Sequence, residues 1–451
     1  MVSLLTKSLG AYGYGLWTQV SVALPLFAMI LKFGSTFSIV RLFPGKDIEE
    51  MGEDLSSLLL LVTLALLSFI AVLMIFPTPL ADTIFDGHVM IVQMVALLVV
   101  SYCLSGLFSA VFRAFREMKK LETINIIQST AKILVIGLVV FLGYGLIAIL
   151  LAVFIVWGFF TCVLFYLVLK KIPLKRPKIS SLKEYISLGL PTVPAGISQV
   201  VVIISDRYVI GFFLGATVVG YYSPAYIWGE TLPKFVTGVL SIVLLPTLSE
   251  YYEKGDVSKV RDLLDLSTKY FLSFSVPLVV IFTIVGRDLL TLLTTAEIAA
   301  NGYEILVLTS IVGILMGLEA IFAQGVYLKK RTKLIGFFWI AAAIFNVTGN
   351  IILVPRIGMI AAAMTSIVSY LIVATFTLFF TRKKLSFSTD HMVIAKIILS
   401  CLLMGLLLFI IRAFIWDDLT FSIVIGLGTY ILFLYLLGVI GDKEIELVNY
   451  I

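Results

Sequence analysis

The chain has 451 residues, 61% hydrophobic and 13% charged, with a formal net charge of +6. Soluble domains carry roughly a quarter charged residues, so the composition excludes a sizeable soluble domain and points to an all-α polytopic membrane protein. Apolar runs of about 20 residues or more, broken by short charged loops, fit helical spans and exclude the alternating ten-residue strands of a membrane barrel.

The hydropathy pattern predicts thirteen spans: 17–42, 56–76, 89–113, 121–143, 146–170, 184–212, 217–247, 265–286, 303–328, 332–354, 357–381, 391–415 and 419–441. Residues 1–16 lack a basic start followed by a small-residue cleavage site, so no cleavable signal is expected. Cys103, Cys162 and Cys401 lie far apart in apolar runs and read as packing residues. Basic residues concentrate in alternate loops, among them 113–120, 170–183, 254–269, 329–333 and 382–384, with Lys443 near the end. The intervening loops hold only Lys7, Arg287, Arg356 and Arg412. The positive-inside rule places the first set in the cytoplasm. The C-terminus is then cytoplasmic and the N-terminus lies outside. The charge belongs to the loops and gives no nucleic-acid signal.

The chain also repeats itself. Gly13-Tyr14-Gly15 is echoed by Gly220-Tyr221-Tyr222, and Leu24-Pro25 by Leu232-Pro233. Gly106-Leu107 matches Gly317-Leu318, and Gly145-Leu146-Ile147-Ala148 resembles Gly358-Met359-Ile360-Ala361. Both copies run in the same direction, which predicts two pseudo-symmetric bundles. The boundaries expected are a first lobe at 1–170, a basic linker at 171–183, a second lobe at 184–384 and two additional spans in 385–451. The second copy opens with span 184–212. The first has no counterpart to it, so its opening helix is expected to be missing from the given sequence.

Ionisable side chains at membrane depth are costly and mark functional sites by default. Span 184–212 contains adjacent Asp206 and Arg207. Span 217–247 places Tyr226, Glu230 and Lys234 on one helical face. Its repeat mate contains Lys32. Span 121–143 aligns Asn125, Gln128 and Lys132, and its mate 332–354 carries Asn346 and Asn350; span 303–328 holds Glu319. Facing stripes in both lobes would line a mildly cationic cavity, suited to a phosphate-bearing headgroup. Lys32, Lys132, Arg207, Lys234, Tyr226, Asn125, Gln128, Asn346 and Asn350 are the candidate substrate contacts. Asp206, Glu230 and Glu319 are candidates for charge pairing or ion coupling. Simpler readings stand beside these. Glu230 and Lys234 form an intrahelical pair, Arg207 and Lys32 snorkel to the nearer interface, and Asn346 and Asn350 bond neighbouring helices.

His88 and His391 each stand alone, and no phosphate-binding GxxxxGK loop occurs. Neither a metal site, a cofactor nor a catalytic triad is expected. Transport energy would then come from an ion gradient, the membrane potential or the substrate gradient. A membrane glycan polymerase or ligase is the rival from another class, weakened by the shortness of every outer loop.

Leu9-Gly10 followed by Tyr14-Gly15-Leu16-Trp17 resembles the second-helix start of Wzx-type polysaccharide flippases. So do Asp206-Arg207-Tyr208-Val209-Ile210, Leu214-Gly215 with Val219-Gly220-Tyr221-Tyr222-Ser223, and Leu245-Pro246-Thr247-Leu248-Ser249-Glu250. The resemblance extends over the whole chain and points to the polysaccharide branch of the multidrug/oligosaccharidyl-lipid/polysaccharide (MOP) exporter superfamily. It implies two six-helix lobes, two terminal helices and alternating access. It also implies translocation of a lipid-linked oligosaccharide across the cytoplasmic membrane. Membrane lipids and glycan polymerase machinery are the implied partners, with a cation-coupled drug or metabolite antiporter as the alternative within the superfamily. The chain departs from the family pattern at its missing first helix.

Overall fold

The structure, a computed structural model, describes residues 1–385, 390–414 and 418–439. Its regular elements are all helical, and 13 helical segments are long and apolar enough to cross a membrane. Each overlaps one of the expected spans, although the first starts at Val2 and ends at Leu31 where 17–42 is expected. Lys443 and the last residues of span 419–441 lie outside the described residues.

The chain divides into two compact units, 1–220 and 221–451. The first contains α1 (Val2–Leu31), α2 (Ser35–Leu42), α3 (Ile48–Ile75), the short α4 (Pro77–Ile84), α5 (Val89–Ala114), α6 (Met118–Phe141), α7 (Leu146–Leu169), α8 (Ile179–Gly189) and α9 (Val193–Leu214). The long α10 (Ala216–Glu253) begins in this unit. By sequence repeat, span 184–212, made of the end of α8 and most of α9, opens the second copy. By packing they belong with the first unit, where α9 lies along α1 and α8 along α2.

Glycine conformations fix the repeat in three dimensions. Gly10 interrupts α1 at φ 65°, ψ −174°, and Gly215 separates α9 from α10 at φ 86°, ψ 167°. Positive φ with extended ψ is accessible essentially to glycine alone. Residues 2–9 therefore form a short helix ahead of Gly10, as α9 lies ahead of Gly215. The hydropathy pattern alone places the first helix later, from about residue 17. Beyond these breaks α1 and α10 cross through small residues. A Cβ on Gly15 would lie 1.8 Å from the Ala216 carbonyl oxygen, and one on Gly220 would lie 1.8 Å from that of Ala11. Counted from the two glycine breaks, Ala11 and Gly15 hold the same places as Ala216 and Gly220, two residues out of register with the Gly13–Gly220 sequence echo, so one small-xxx-small motif meets its own copy.

A second break divides α1 from α2. Phe33 and Gly34 both take positive φ, 49° and 74°. Gly34 is pressed against Gly189 at the end of α8, where a Cβ on Gly34 would meet the Gly189 carbonyl oxygen at 2.2 Å. Nearby, Ser38 Oγ donates to the Tyr185 carbonyl oxygen at 2.7 Å.

The segment from Lys170 to α8 is pinned to α3. Ser56 and Ser57 hydroxyls accept the backbone N–H groups of Lys175 (3.2 Å) and Lys178 (2.7 Å). Gly52 lies beneath the Pro173 carbonyl. Asp54 accepts from Lys46 Nζ (2.6 Å) and Tyr185 OH (2.9 Å), and the Lys46 ammonium sits 5.0 Å from the Tyr185 ring centre. Burial alone would lower the Lys46 pKa. The hydrogen bond and charge of Asp54, with help from Glu184, raise it overall.

The second unit contains α11 (Val257–Leu293), α12 (Ala296–Leu328), α13 (Thr332–Ile357), α14 (Met359–Leu385), α15 (His391–Phe414) and α16 (Leu419–Leu436). Helix α12 packs between α11 and α14, and α13 covers α14. Close packing again depends on glycine, since a Cβ on Gly317 would fall 1.9 Å from the Phe271 ring. Helices α15 and α16 dock on α11. Arg412 donates to Asp288 at 2.6 Å and to the Ile284 carbonyl oxygen at 2.9 Å, and Tyr430 donates to the Ser273 carbonyl oxygen at 2.7 Å.

Alanine at Gly15 or Gly220 must push the crossing backbones apart. Either substitution is expected to cost about 1–3 kcal/mol and to lower the thermal midpoint of the purified protein. Alanine at Gly45, where a Cβ would have nothing within 4 Å, should leave it unchanged.

Candidate functional site

The first unit contains a polar cavity of about 430 Å³ that is open to the surface. Helix α5 contributes Ser101, Ser105, Ser109 and Arg113, spaced four apart and so on one face. Helix α6 opposes it with Glu122, Asn125, Gln128, Ser129 and Lys132. Trp157 of α7 and Lys32, at the break after α1, complete the wall with Tyr102. From Ser101 to Arg113 the wall runs about 18 Å at 1.5 Å per residue. Exposed Arg113 and Glu122 stand at the end next to the α5–α6 loop.

Lys32 and Lys132 are both half-buried. The Lys32 ammonium lies over Gly106, where a Cβ would approach it to 2.8 Å. The absent side chain at Gly106 makes its room. The Lys132 ammonium lies 5.9 Å from the Trp157 ring centre, within reach of the attractive face of the indole. Trp157 and Tyr102 pack as a tilted pair with centroids 5.4 Å apart. Glu122 accepts from Asn125 Nδ2 at 3.3 Å. Among the described residues, neither Lys32 nor Lys132 forms an ion pair with a carboxylate. Three cations and one carboxylate thus line the cavity.

Helix α6 is built for this position. One face carries Glu122, Asn125, Ser129 and Lys132; Ile126, Leu134, Leu138 and Phe141 on other faces are exposed, as side chains in contact with lipid are. Its only buried residues are Leu121 and Ile136.

Of the residues singled out by sequence, Lys32, Asn125, Gln128 and Lys132 come together here. The others are placed elsewhere. Asp206 and Arg207 in α9 are buried, at 0% and 4% exposure, and Arg207 Nη1 donates to Asp206 Oδ1 (2.7 Å) and to the Ile203 carbonyl oxygen (2.6 Å). Arg207 therefore does not reach an interface as a snorkelling side chain would. Glu230 and Lys234 in α10 pair within their helix at 3.2 Å, and the lysine is 56% exposed. Tyr226 is fully buried against Tyr222, centroids 5.6 Å apart. Asn346 and Asn350 are fully buried between α13 and α14. Asn350 donates to Asn346 at 3.2 Å, Thr365 donates to Asn350, and Asn346 approaches Ser366 at 3.5 Å. That geometry is interhelical hydrogen bonding. Glu319 is buried in α12 at 9% exposure, on the same helix as Gln324.

The serine row, Arg113, Tyr102 and Trp157 did not emerge from sequence reasoning. Small hydroxyls within an apolar run read as packing groups, because each can satisfy itself on its own helix. The available signal was the regular four-residue step from Ser101 to Ser109, ending on Arg113.

Asp206→Ala would leave a buried guanidinium without its carboxylate. It should destabilise the protein by about 3–5 kcal/mol in denaturant titration. Lys234→Ala leaves the buried Glu230 carboxylate without its half-exposed lysine and should cost about 1–3 kcal/mol in the same measurement.

Comparison with known proteins places this architecture. Residues 1–252 match the family described as "Polysaccharide biosynthesis protein". A "Probable flippase AglR" of Haloferax volcanii is 27% identical over 168 residues, which are 36% of this chain and 34% of that protein. The chain thus aligns with about a third of that relative's length. Among solved structures, the lipid II flippase MurJ in an inward closed conformation superposes with a TM-score of 0.80 at 16% identity, covering 96% of this chain and 94% of that one. An inward-facing multidrug resistance MATE transporter of the MOP superfamily superposes with a TM-score of 0.71 at 13% identity, covering 85% and 92%. At such identities the likeness concerns the fold. The family match spans more than half of the sequence, so this multi-pass membrane protein belongs to the polysaccharide biosynthesis protein family and has the fold of the MurJ and MATE transporters.

Proposed function

We propose that the protein is a flippase that carries a lipid-linked oligosaccharide across the cytoplasmic membrane by alternating access, for surface polysaccharide biosynthesis. The observation that carries this reading is the cavity of the first unit. Its lining has Lys32, Lys132 and Arg113 against Glu122, together with amides and hydroxyls. Ammonium and guanidinium groups meet phosphate oxygens through charge-assisted hydrogen bonds, and these gain strength where water is sparse. Asn125, Gln128 and the serine row offer donors and acceptors to sugar hydroxyls. The tilted Tyr102–Trp157 pair offers flat apolar faces to a pyranose ring. A polyprenyl-phosphate or polyprenyl-pyrophosphate carrier combines these features in one molecule.

The same lining argues against a cation-exporting antiporter, since organic cations call for carboxylates and Glu122 is the one carboxylate lining this cavity. The reading includes a two-lobed transporter with lobes at 1–170 and 184–384, the linker at 171–183 and the terminal spans in 385–451. It also includes a cytoplasmic C-terminus and exchange with glycan polymerase machinery. Asp206, Glu230 and Glu319 remain the proposed groups for charge pairing or ion coupling.

In cells depleted of this activity, wild-type protein should restore surface polysaccharide. The double variant Lys32→Gln/Lys132→Gln should lose most of that rescue while reaching the membrane in normal amount, and lipid-linked oligosaccharide should build up. Full rescue by the double variant would refute the cationic-cavity reading. Reporter fusions test topology: phosphatase joined after residue 384 should be inactive, and phosphatase joined within 294–296 should be active.

A further inference from the structure

Lys32 borders a second space as well. Beyond it lies a pocket of about 290 Å³, lined mainly by Pro25 and Met29 of α1, Phe37 of α2, and Val193 and Val200 at α9. Lys32 and Tyr102 are the two residues that line both this pocket and the polar cavity. The two spaces differ in chemistry. The polar cavity is walled by hydroxyls, amides and cations. The second wall is mostly hydrocarbon with two threonines, Thr36 and Thr192, and the hydroxyl of Thr192 donates to the Gly189 carbonyl oxygen at 2.7 Å. Phe37 in its lining is 47% exposed, so the apolar pocket can be reached from the surface of the unit.

We infer that Lys32 holds the phosphate group that joins lipid to glycan, with the first isoprene units of a polyprenyl chain in the apolar pocket and the first sugar in the polar cavity. This assignment rests on the flippase reading. A lipid-linked sugar is apolar chain, phosphate and glycan in that order, and the structure presents apolar pocket, ammonium and polar cavity in the same order. A lysine suits the junction because its ammonium is a point charge with three donors that can turn toward whichever oxygens arrive. Gly106 leaves the ammonium its space, and the Tyr102 ring stands at the same boundary. Burial of branched hydrocarbon beside Met29 and Val200 supplies attraction that a bare phosphate lacks. Lys132 also borders a smaller apolar space of about 160 Å³, next to Trp17 and Leu24. The two lysines therefore make separable predictions.

The test uses the full chain in phosphatidylcholine nanodiscs, titrated calorimetrically with geranyl pyrophosphate and with inorganic pyrophosphate, empty nanodiscs serving as the blank. Wild-type protein is expected to bind the geranyl compound about tenfold more tightly than pyrophosphate, equivalent to about 1.4 kcal/mol. Lys32→Gln should weaken both ligands about tenfold. Val200→Trp, which fills the apolar pocket, should bring the geranyl compound to within about twofold of pyrophosphate and leave pyrophosphate binding unchanged. That unchanged binding is also the check on folding. Val200→Ala, which enlarges the pocket with little risk to the fold, should reduce the preference two- to threefold. Lys132→Gln should keep the tenfold preference. A wild type that binds both ligands equally, or a preference that survives both Val200 variants, overturns the assignment while the flippase reading stands. A preference lost in Lys132→Gln and kept in the Val200 variants overturns it in favour of the smaller space. Binding of neither ligand by the wild type overturns the flippase reading itself. A tenfold loss of geranyl affinity in phosphatidylglycerol nanodiscs that disappears in Lys32→Gln assigns the place to ordinary anionic lipid, and likewise overturns the inference.

Discussion

An ammonium at membrane depth needs water, a counter-charge or an anion, and this requirement organises the first unit. Lys32 sits where helical hydrogen bonding stops between α1 and α2. Irregular backbone within a membrane is tolerated only where protein covers it or where it lines a cavity. Both conditions are met at this break. Gly34 is covered by Gly189, and the Lys32 side chain enters a cavity over Gly106. The serine row on α5 and the polar face of α6 follow from the same need, because a charged wall requires other polar groups around it. Helix α6 in turn can bury so little of itself because one side serves the cavity and the other serves lipid.

Backbone conformation carries the internal duplication more faithfully than side-chain identity does. Gly10 and Gly215 share a conformation closed to other residues, and each precedes a small-xxx-small stretch. The two stretches cross each other, so one duplicated motif supplies both halves of its own contact. The polar stripes have diverged by comparison. Asn125, Gln128 and Lys132 face a cavity, while Asn346 and Asn350 at corresponding places bond α13 to α14.

The spans were legible in the sequence because hydrocarbon length and loop charge are properties of the chain itself. The parts that depend on neighbours were not. Asn346 and Lys132 look equally like cavity residues on a helical wheel. Only the facing helix decides, with Ser366 and Thr365 opposite the asparagines and open space opposite the lysine. Asp206–Arg207 was visible as a costly pair, but its near-complete burial in α9 depends on packing. The break at Lys32 was hidden because Phe33-Gly34 lies inside an apolar run that hydropathy reads as continuous. Residues 179–189, read in sequence as the end of the linker and the start of span 184–212, form the separate helix α8. Their contacts with α2 and α3 depend on Gly34, Ser38 and Asp54, which lie more than a hundred positions away.

The segment from Lys170 to α8 reads in sequence as a short, basic connector of the kind usually taken for slack. Its backbone is held by Ser56 and Ser57, its path is set by Gly52, and its far end is clamped by Asp54 through Tyr185. It therefore behaves as a strut rather than a string. A displacement of α8 is expected to reach the first turns of α3 through these contacts. Extra length inserted there would alter a rigid linkage instead of lengthening a loose one.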